Sequence, residues 1–167
     1  MNLRVVHPLE PIFDEHSRAL ILGTMPSPKS REVRFYYGHP QNRFWRVLAA
    51  VFGCSVPTTN DERREFVLSH RLALWDVLRS CEITGASDAS IKNAAANDLS
   101  VILDHAPIRA IFCTGTRAAA LYRRLIEPKT GIAAVALPST SPANCAVSFE
   151  ALCSAYAQSR RASEGEF

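Results

Sequence analysis

Ala19-Leu20-Ile21-Leu22-Gly23 is a short, unbroken apolar run that stops at a glycine. A run of this length without alternation fits a strand buried on both faces, as at the centre of a parallel sheet. Three more strand candidates follow: Leu72 to Val77, Ile108 to Thr114, and Ile132 to Leu137, which ends at Pro138. Helical spacing fills the intervals. Phe44, Val47, Leu48, Val51 and Phe52 recur after Asn42, and Gly53 closes that helix. Asp61 to Ser69 carries its acids in the first turn, where the helix dipole favours them. Asn97-Asp98 caps a helix with Leu99, Ile102 and Leu103, and Gly115 opens one with Ala118, Leu121, Tyr122 and Leu125. Thr24 to Gln41 is a proline-punctuated loop, Ser148 to Ser159 a last helix, and Arg160 to Phe167 a frayed tail. Strands alternating with helices predict one α/β domain over residues 1–159, a three-layer α/β/α sandwich with a central four-stranded parallel sheet. Ligands of such sheets bind at the carboxyl ends of the strands. The loops starting at Gly23, Asp76, Gly115 and Pro138 then share one rim.

Composition narrows the function classes. The chain has 167 residues, 47% hydrophobic and 21% charged, as in an ordinary globular domain. No apolar run approaches the ~20 residues of a membrane helix, and the first residues lack an apolar signal core, so the expected compartment is the cytoplasm. Five cysteines, an odd number with no C-x-x-C pair, fit neither a disulfide framework nor a zinc or iron–sulfur site. No metal and no cofactor are expected. The chain has no G-x-x-x-x-G-K-[ST], no G-x-G-x-x-G opening a helix and no G-x-S-x-G elbow. Those absences weigh against an NTPase, a dehydrogenase and an esterase.

Charge is uneven. The net charge is +3, yet Lys29, Arg31, Arg34, Arg43 and Arg46 face Glu32 alone, a local +4. The same stretch holds Phe35, Tyr36, Tyr37, Phe44 and Trp45. Such a mixture can neutralise phosphates and offer faces for stacking bases. It equally fits a solvated loop beside a core helix, and composition alone favours that plainer reading.

Two rim loops carry a resemblance. One runs Gly23-Thr24-Met25-Pro26-Ser27 and continues to Tyr36-Tyr37-Gly38-His39-Pro40-Gln41-Asn42-Arg43-Phe44-Trp45. The other is Leu137-Pro138-Ser139-Thr140-Ser141-Pro142-Ala143-Asn144. Together they resemble the uracil-DNA glycosylase superfamily, above all its hypoxanthine-DNA (deoxyinosine) glycosylase branch. The likeness extends from about Arg4 to about Ser159. It implies a monofunctional enzyme that flips a deaminated base out of DNA and hydrolyses its N-glycosidic bond. Its partner would be DNA carrying hypoxanthine or uracil, and the protein would act as a monomer. Many members of the superfamily carry Asp or Asn two residues after the first glycine, where this chain has Met25. The hypoxanthine branch is similar in lacking that residue, and its catalytic Asn carries over to Asn42.

The resemblance implies the remaining roles. Asn42 would position water through its carbonyl oxygen, since an amide cannot accept a proton as a carboxylate does. Tyr37 would stack on the flipped base, with Gly23, Thr24, Met25 and Pro26 forming the loop that reads its edge. Ser27, Arg43, Ser139, Thr140, Ser141, Pro142 and Asn144 would contact the DNA backbone. Without a pocket lysine, no Schiff base and no strand cleavage are expected. Plainer roles stand beside these. Asn42 at a helix start is most often an N-cap. His39 before Pro40 fits a loop brace and Arg46 a solvated helix face; Asp76, on the same rim, could hydrogen-bond loop backbone or touch the base, and the structural role is preferred. A mismatch-specific uracil glycosylase and a non-catalytic DNA-binding relative are the rival functions.

Overall fold

The computed structural model describes residues 3–84 and 87–165. Four strands form the predicted parallel sheet: β2 (Ala19–Gly23), β3 (Leu72–Asp76), β6 (Ala110–Thr114) and β7 (Ala134–Leu137), in the order β3-β2-β6-β7. β2 is paired on both sides and every one of its residues is buried, which is why its sequence shows no alternation. Between β2 and β3 lie α1 (Pro28–Val33), α2 (Phe44–Phe52) and α3 (Asn60–Ser69). α5 (Thr116–Leu125) and α6 (Glu127–Thr130) join β6 to β7, and α4 (Ser100–Leu103) precedes β6. The β2-to-β3 and β6-to-β7 connections run in opposite directions along the sheet. Right-handed crossovers therefore place α2 and α3 on one face and α5 on the other. The last helix, α7 (Phe149–Ser163), packs on α2 and over β2 and β6, completing the first layer. The order reverses between β2 and β6, and that switch point is where such a sheet opens a crevice.

A second sheet escaped the sequence reading. β1 (Leu3–Val6), β4 (Leu78–Ile83) and β5 (Lys92–Ala96) pair antiparallel in the order β1-β4-β5. β5 reads Lys-Asn-Ala-Ala-Ala, with little β propensity. β4 follows β3 after Val77 alone, so the apolar run Leu72 to Leu78 spans two sheets. α1 also lies inside what the sequence presents as a loop. Ser27 caps it by accepting from the Ser30 amide at 3.1 Å, and Pro28 occupies its first turn.

The C-terminal boundary differs too. α7 does not fray at Arg160 but runs to Ser163, with Ala162 and Ser163 buried. Arg160 holds it by pairing with Glu164 at 2.7 Å and donating to the Val51 carbonyl at 2.9 Å. Apolar contact made by the last turn was hidden in Arg-Arg-Ala-Ser, a sequence with one small apolar residue. Truncation after Ser159 should cost about 1–2 kcal/mol through lost burial. A urea titration checks this: an unchanged midpoint would mean that the last turn contributes nothing.

Candidate active site

The carboxyl ends of the parallel strands open on a cleft of about 890 Å³. Its lining combines the loop after β2, Tyr36, Tyr37, His39 and Asn42, the end of β3 at Asp76, Thr114 to Thr116, and Pro138 to Asn144. Residues more than a hundred positions apart thus share one cavity because each follows a parallel strand.

Asn42 precedes α2. Its Oδ1 accepts from the Phe44 amide at 2.9 Å and from the Thr140 hydroxyl at 2.8 Å. The Phe44 N–H can only donate, so the amide orientation is settled and both lone pairs of Oδ1 are taken. Nδ2 makes no hydrogen bond among the described residues. The expected use of Asn42, through its carbonyl oxygen, is therefore corrected: the group left for the cleft is the NH2. The plain N-cap reading is also incomplete, because Thr140 binds the same oxygen from across the cleft.

Tyr37 stands beside it with φ at 54°, a left-handed conformation unusual for a bulky residue. Its ring lies on Phe44, centroids 3.7 Å apart and planes within 14°. Phe44 is fully buried, so the surface of Tyr37 that lines the cleft is the side away from it. The Tyr37 hydroxyl meets Thr114 Oγ1 at 3.2 Å. Burial, then the charge of Asp76, push its acidity constant well above the ordinary value, so the phenol stays neutral. The other aromatics of this stretch serve the core. Phe35, Tyr36, Phe44 and Trp45 are buried, with Trp45 edge-on to Phe44 and its Nε1 donating to the Tyr36 carbonyl at 3.1 Å.

The second loop is braced rather than free. Thr140 is 1% exposed, so its predicted DNA contact is corrected to an internal one, the bond to Asn42. Arg43 reaches back: its guanidinium donates to the carbonyls of Val147 at 2.6 Å and Asn144 at 3.0 Å, and its amide to that of Thr140 at 3.1 Å. Asn144 Nδ2 donates to the Ser139 carbonyl at 2.9 Å. Ser139 and Ser141 accept from the Ser141 and Ala143 amides, which leaves each hydroxyl hydrogen available. Ser27 is occupied by α1, and Pro26 and Pro142 stiffen the two loop entries. Met25 lines the cleft and packs against the core. His39 braces the turn as expected, its Nδ1 accepting from Gln41 and its carbonyl from Asn42.

Sequence reasoning missed the depth of Asp76. It is 3% exposed, lines the cleft, and its Oδ2 accepts from His7 Nε2 at 2.7 Å. His7 directly follows β1, 69 positions before Asp76, and no local pattern links the two. Gly23 makes the space: a Cβ there would lie 2.5 Å from Asp76 Oδ1 and 3.3 Å from the Tyr37 hydroxyl. Elsewhere, burial pushes the Cys113 thiol up to about 12, which suits a core residue and not a nucleophile. Among the described residues no group of three His, Cys, Asp or Glu could hold a metal, and no helix is long and apolar enough to cross a membrane.

Residues 10–158 match the profile of the Uracil DNA glycosylase superfamily. The chain is 34% identical to the hypoxanthine DNA glycosylase of Methanosarcina acetivorans over 134 residues, 80% of this chain and 84% of that one. It is 37% identical to the hypoxanthine DNA glycosylase of Methanosarcina barkeri over 98 residues, 58% of this chain and 62% of that one. The solution NMR structure of a candidate uracil DNA glycosylase from M. acetivorans superposes with a TM-score of 0.80 at 28% identity, covering 96% of this chain and 98% of that one.

Gly23→Ala should displace the Asp76 carboxylate and cost about 1–3 kcal/mol, the usual penalty for overpacking. Thermal unfolding checks it, and an unchanged melting temperature would mean the carboxylate has room to move.

Proposed function

The chain belongs to the uracil DNA glycosylase superfamily, and from that membership we propose a monofunctional DNA glycosylase that removes deaminated bases, hypoxanthine first. The observation that carries this reading is Asn42, locked by Phe44 and Thr140 with its NH2 free, beside the Tyr37 face in the cleft. A flipped base would stack on Tyr37, with the Met25 amide, which has no partner among the described residues, donating to its edge. Asn42 would hold the attacking water by donating to one of its lone pairs. The other lone pair attacks C1′ as the C1′–N bond breaks and the base leaves as an anion; the proton that the attacking water sheds passes through solvent to the base. Such a reaction asks for a placed water and charge stabilisation more than for a strong base. Ser139 and Ser141 would donate to phosphate oxygens. Arg43 would act chiefly by holding the second loop in place. Among the described residues no lysine lines the cleft, which supports base release without strand cleavage.

The test is base release from duplexes containing deoxyinosine, deoxyuridine or normal bases, followed by alkaline cleavage of abasic sites. Inosine is expected to be the best substrate. Uracil ahead of it would favour a mismatch-type uracil glycosylase, and binding without release a non-catalytic relative. Asn42→Ala should lower the single-turnover rate about 100-fold or more with DNA affinity retained. Survival of the rate would remove Asn42 from the chemistry. Thr140→Val, which frees the Asn42 amide to rotate, should cost about 10-fold in the same assay.

A further inference from the structure

Away from the cleft, one exposed nucleophile lies against one base. Cys54 is exposed, and its Sγ is 3.5 Å from His70 Nε2. Neither residue lines the cleft. His70 Nδ1 meets the Phe66 carbonyl at 2.8 Å. A carbonyl can only accept, so Nδ1 carries the hydrogen, and in the neutral ring Nε2 is the bare nitrogen facing the thiol. Cys54 Sγ also lies 3.4 Å from the Phe52 carbonyl, an acceptor that cannot take the proton away. His70 can.

Both members of the pair are held in place, and the space beside them is open. His70 caps the end of α3, and its ring packs on Phe52 and on Phe66 with centroids 4.4 Å apart in each case. Cys54 follows Gly53, which ends α2 in a left-handed conformation at φ 68°, and the Cys54 amide donates to the Ala49 carbonyl at 2.9 Å. Nothing lies within 4 Å of the point where a Gly53 Cβ would be, so a reagent can approach beside the sulfur. The carbonyl end of a helix favours cations and gives a thiolate no support. Reactivity at Cys54 therefore depends on the base beside it. Of the other cysteines only Cys145 is fully exposed, and it has no histidine partner among the described residues.

We propose that Cys54 and His70 form a thiol–base dyad, a second reactive site at which small disulfides modify the protein. Cys54 gives its S–H proton to His70 Nε2 as the sulfur lone pair attacks one sulfur of the disulfide. The new S–S bond to Cys54 forms while the bond within the disulfide breaks. The departing sulfur leaves as a thiolate and takes the proton from the imidazolium. Cys54 is oxidised to a mixed disulfide and the departing half is reduced to a thiol, so no further oxidant enters. The inference is independent of the glycosylase reading, since the nine residues of α2 stand between this dyad and Asn42.

The experiment incubates the full chain with glutathione disulfide, quenches with acid, and follows the mixed disulfide at each cysteine by peptide mass spectrometry. Cys145 serves as the internal reference. In the wild type, Cys54 should react about 10-fold or more faster than Cys145. His70→Phe keeps a ring against Phe52 and Phe66 but removes the base. It should slow Cys54 by about 10-fold or more and leave Cys145 unchanged. Equal rates at the two cysteines overturn the proposal, as does a Cys54 rate that His70→Phe leaves intact or lowers only in step with Cys145. If His70→Phe fails to fold by near-UV circular dichroism, the wild-type ratio decides: about 10-fold or more sustains the dyad, and anything less overturns it. No step of this test reads base release, so its outcome and that of the glycosylase assay are separate.

Discussion

Phe44 is the residue on which both sides of the cleft lean. Its ring is fully buried and supports Tyr37 at 3.7 Å, while its amide fixes Asn42. It also meets Tyr156 of α7 edge-on, and the Tyr156 hydroxyl holds the Pro138 carbonyl at 2.6 Å, where the second loop begins. One core residue at the start of a helix thus links the stacking face, the fixed amide and the loop opposite. The arrangement is rigid because it uses packed rings and backbone donors, which lose little freedom on binding.

The same economy explains the basic, aromatic stretch from Lys29 to Arg46. Its composition resembles a nucleic-acid surface, but most of its aromatics form a ladder inside the protein and only the Tyr36–Tyr37 pair reaches the cleft. Arg31 and Arg43 likewise bond backbone carbonyls, Arg31 that of Pro26 in its own loop and Arg43 those of Asn144 and Val147 in the second. Structure and recognition are interleaved here residue by residue. A charge count over the whole stretch overstates what is available to DNA.

Legibility followed the range of the interactions. The four parallel strands were readable because burial on both faces leaves a plain apolar run, and the rim followed from their direction. Tyr37 and Asn42 were readable because they stand five positions apart within a single motif. The antiparallel sheet was not, since β5 is rich in alanine and β4 is fused to β3 through one residue. Nor were the bonds that give the site its polarity. Thr140 to Asn42 spans 98 positions and His7 to Asp76 spans 69, and no spacing rule connects such pairs.

The pairing of Gly23 with Asp76 shows how one strand end makes room for a carboxylate carried by its neighbour. The two residues are register partners at the ends of adjacent parallel strands, so what one lacks in volume the other can fill. A glycine at the end of β2 admits a carboxylate from β3 to within 2.5 Å of its absent Cβ. The carboxylate in the cleft therefore enters from the neighbouring strand, held by His7, instead of from the loop after β2. A group held by a strand end and a buried imidazole is placed more firmly than one carried on a loop.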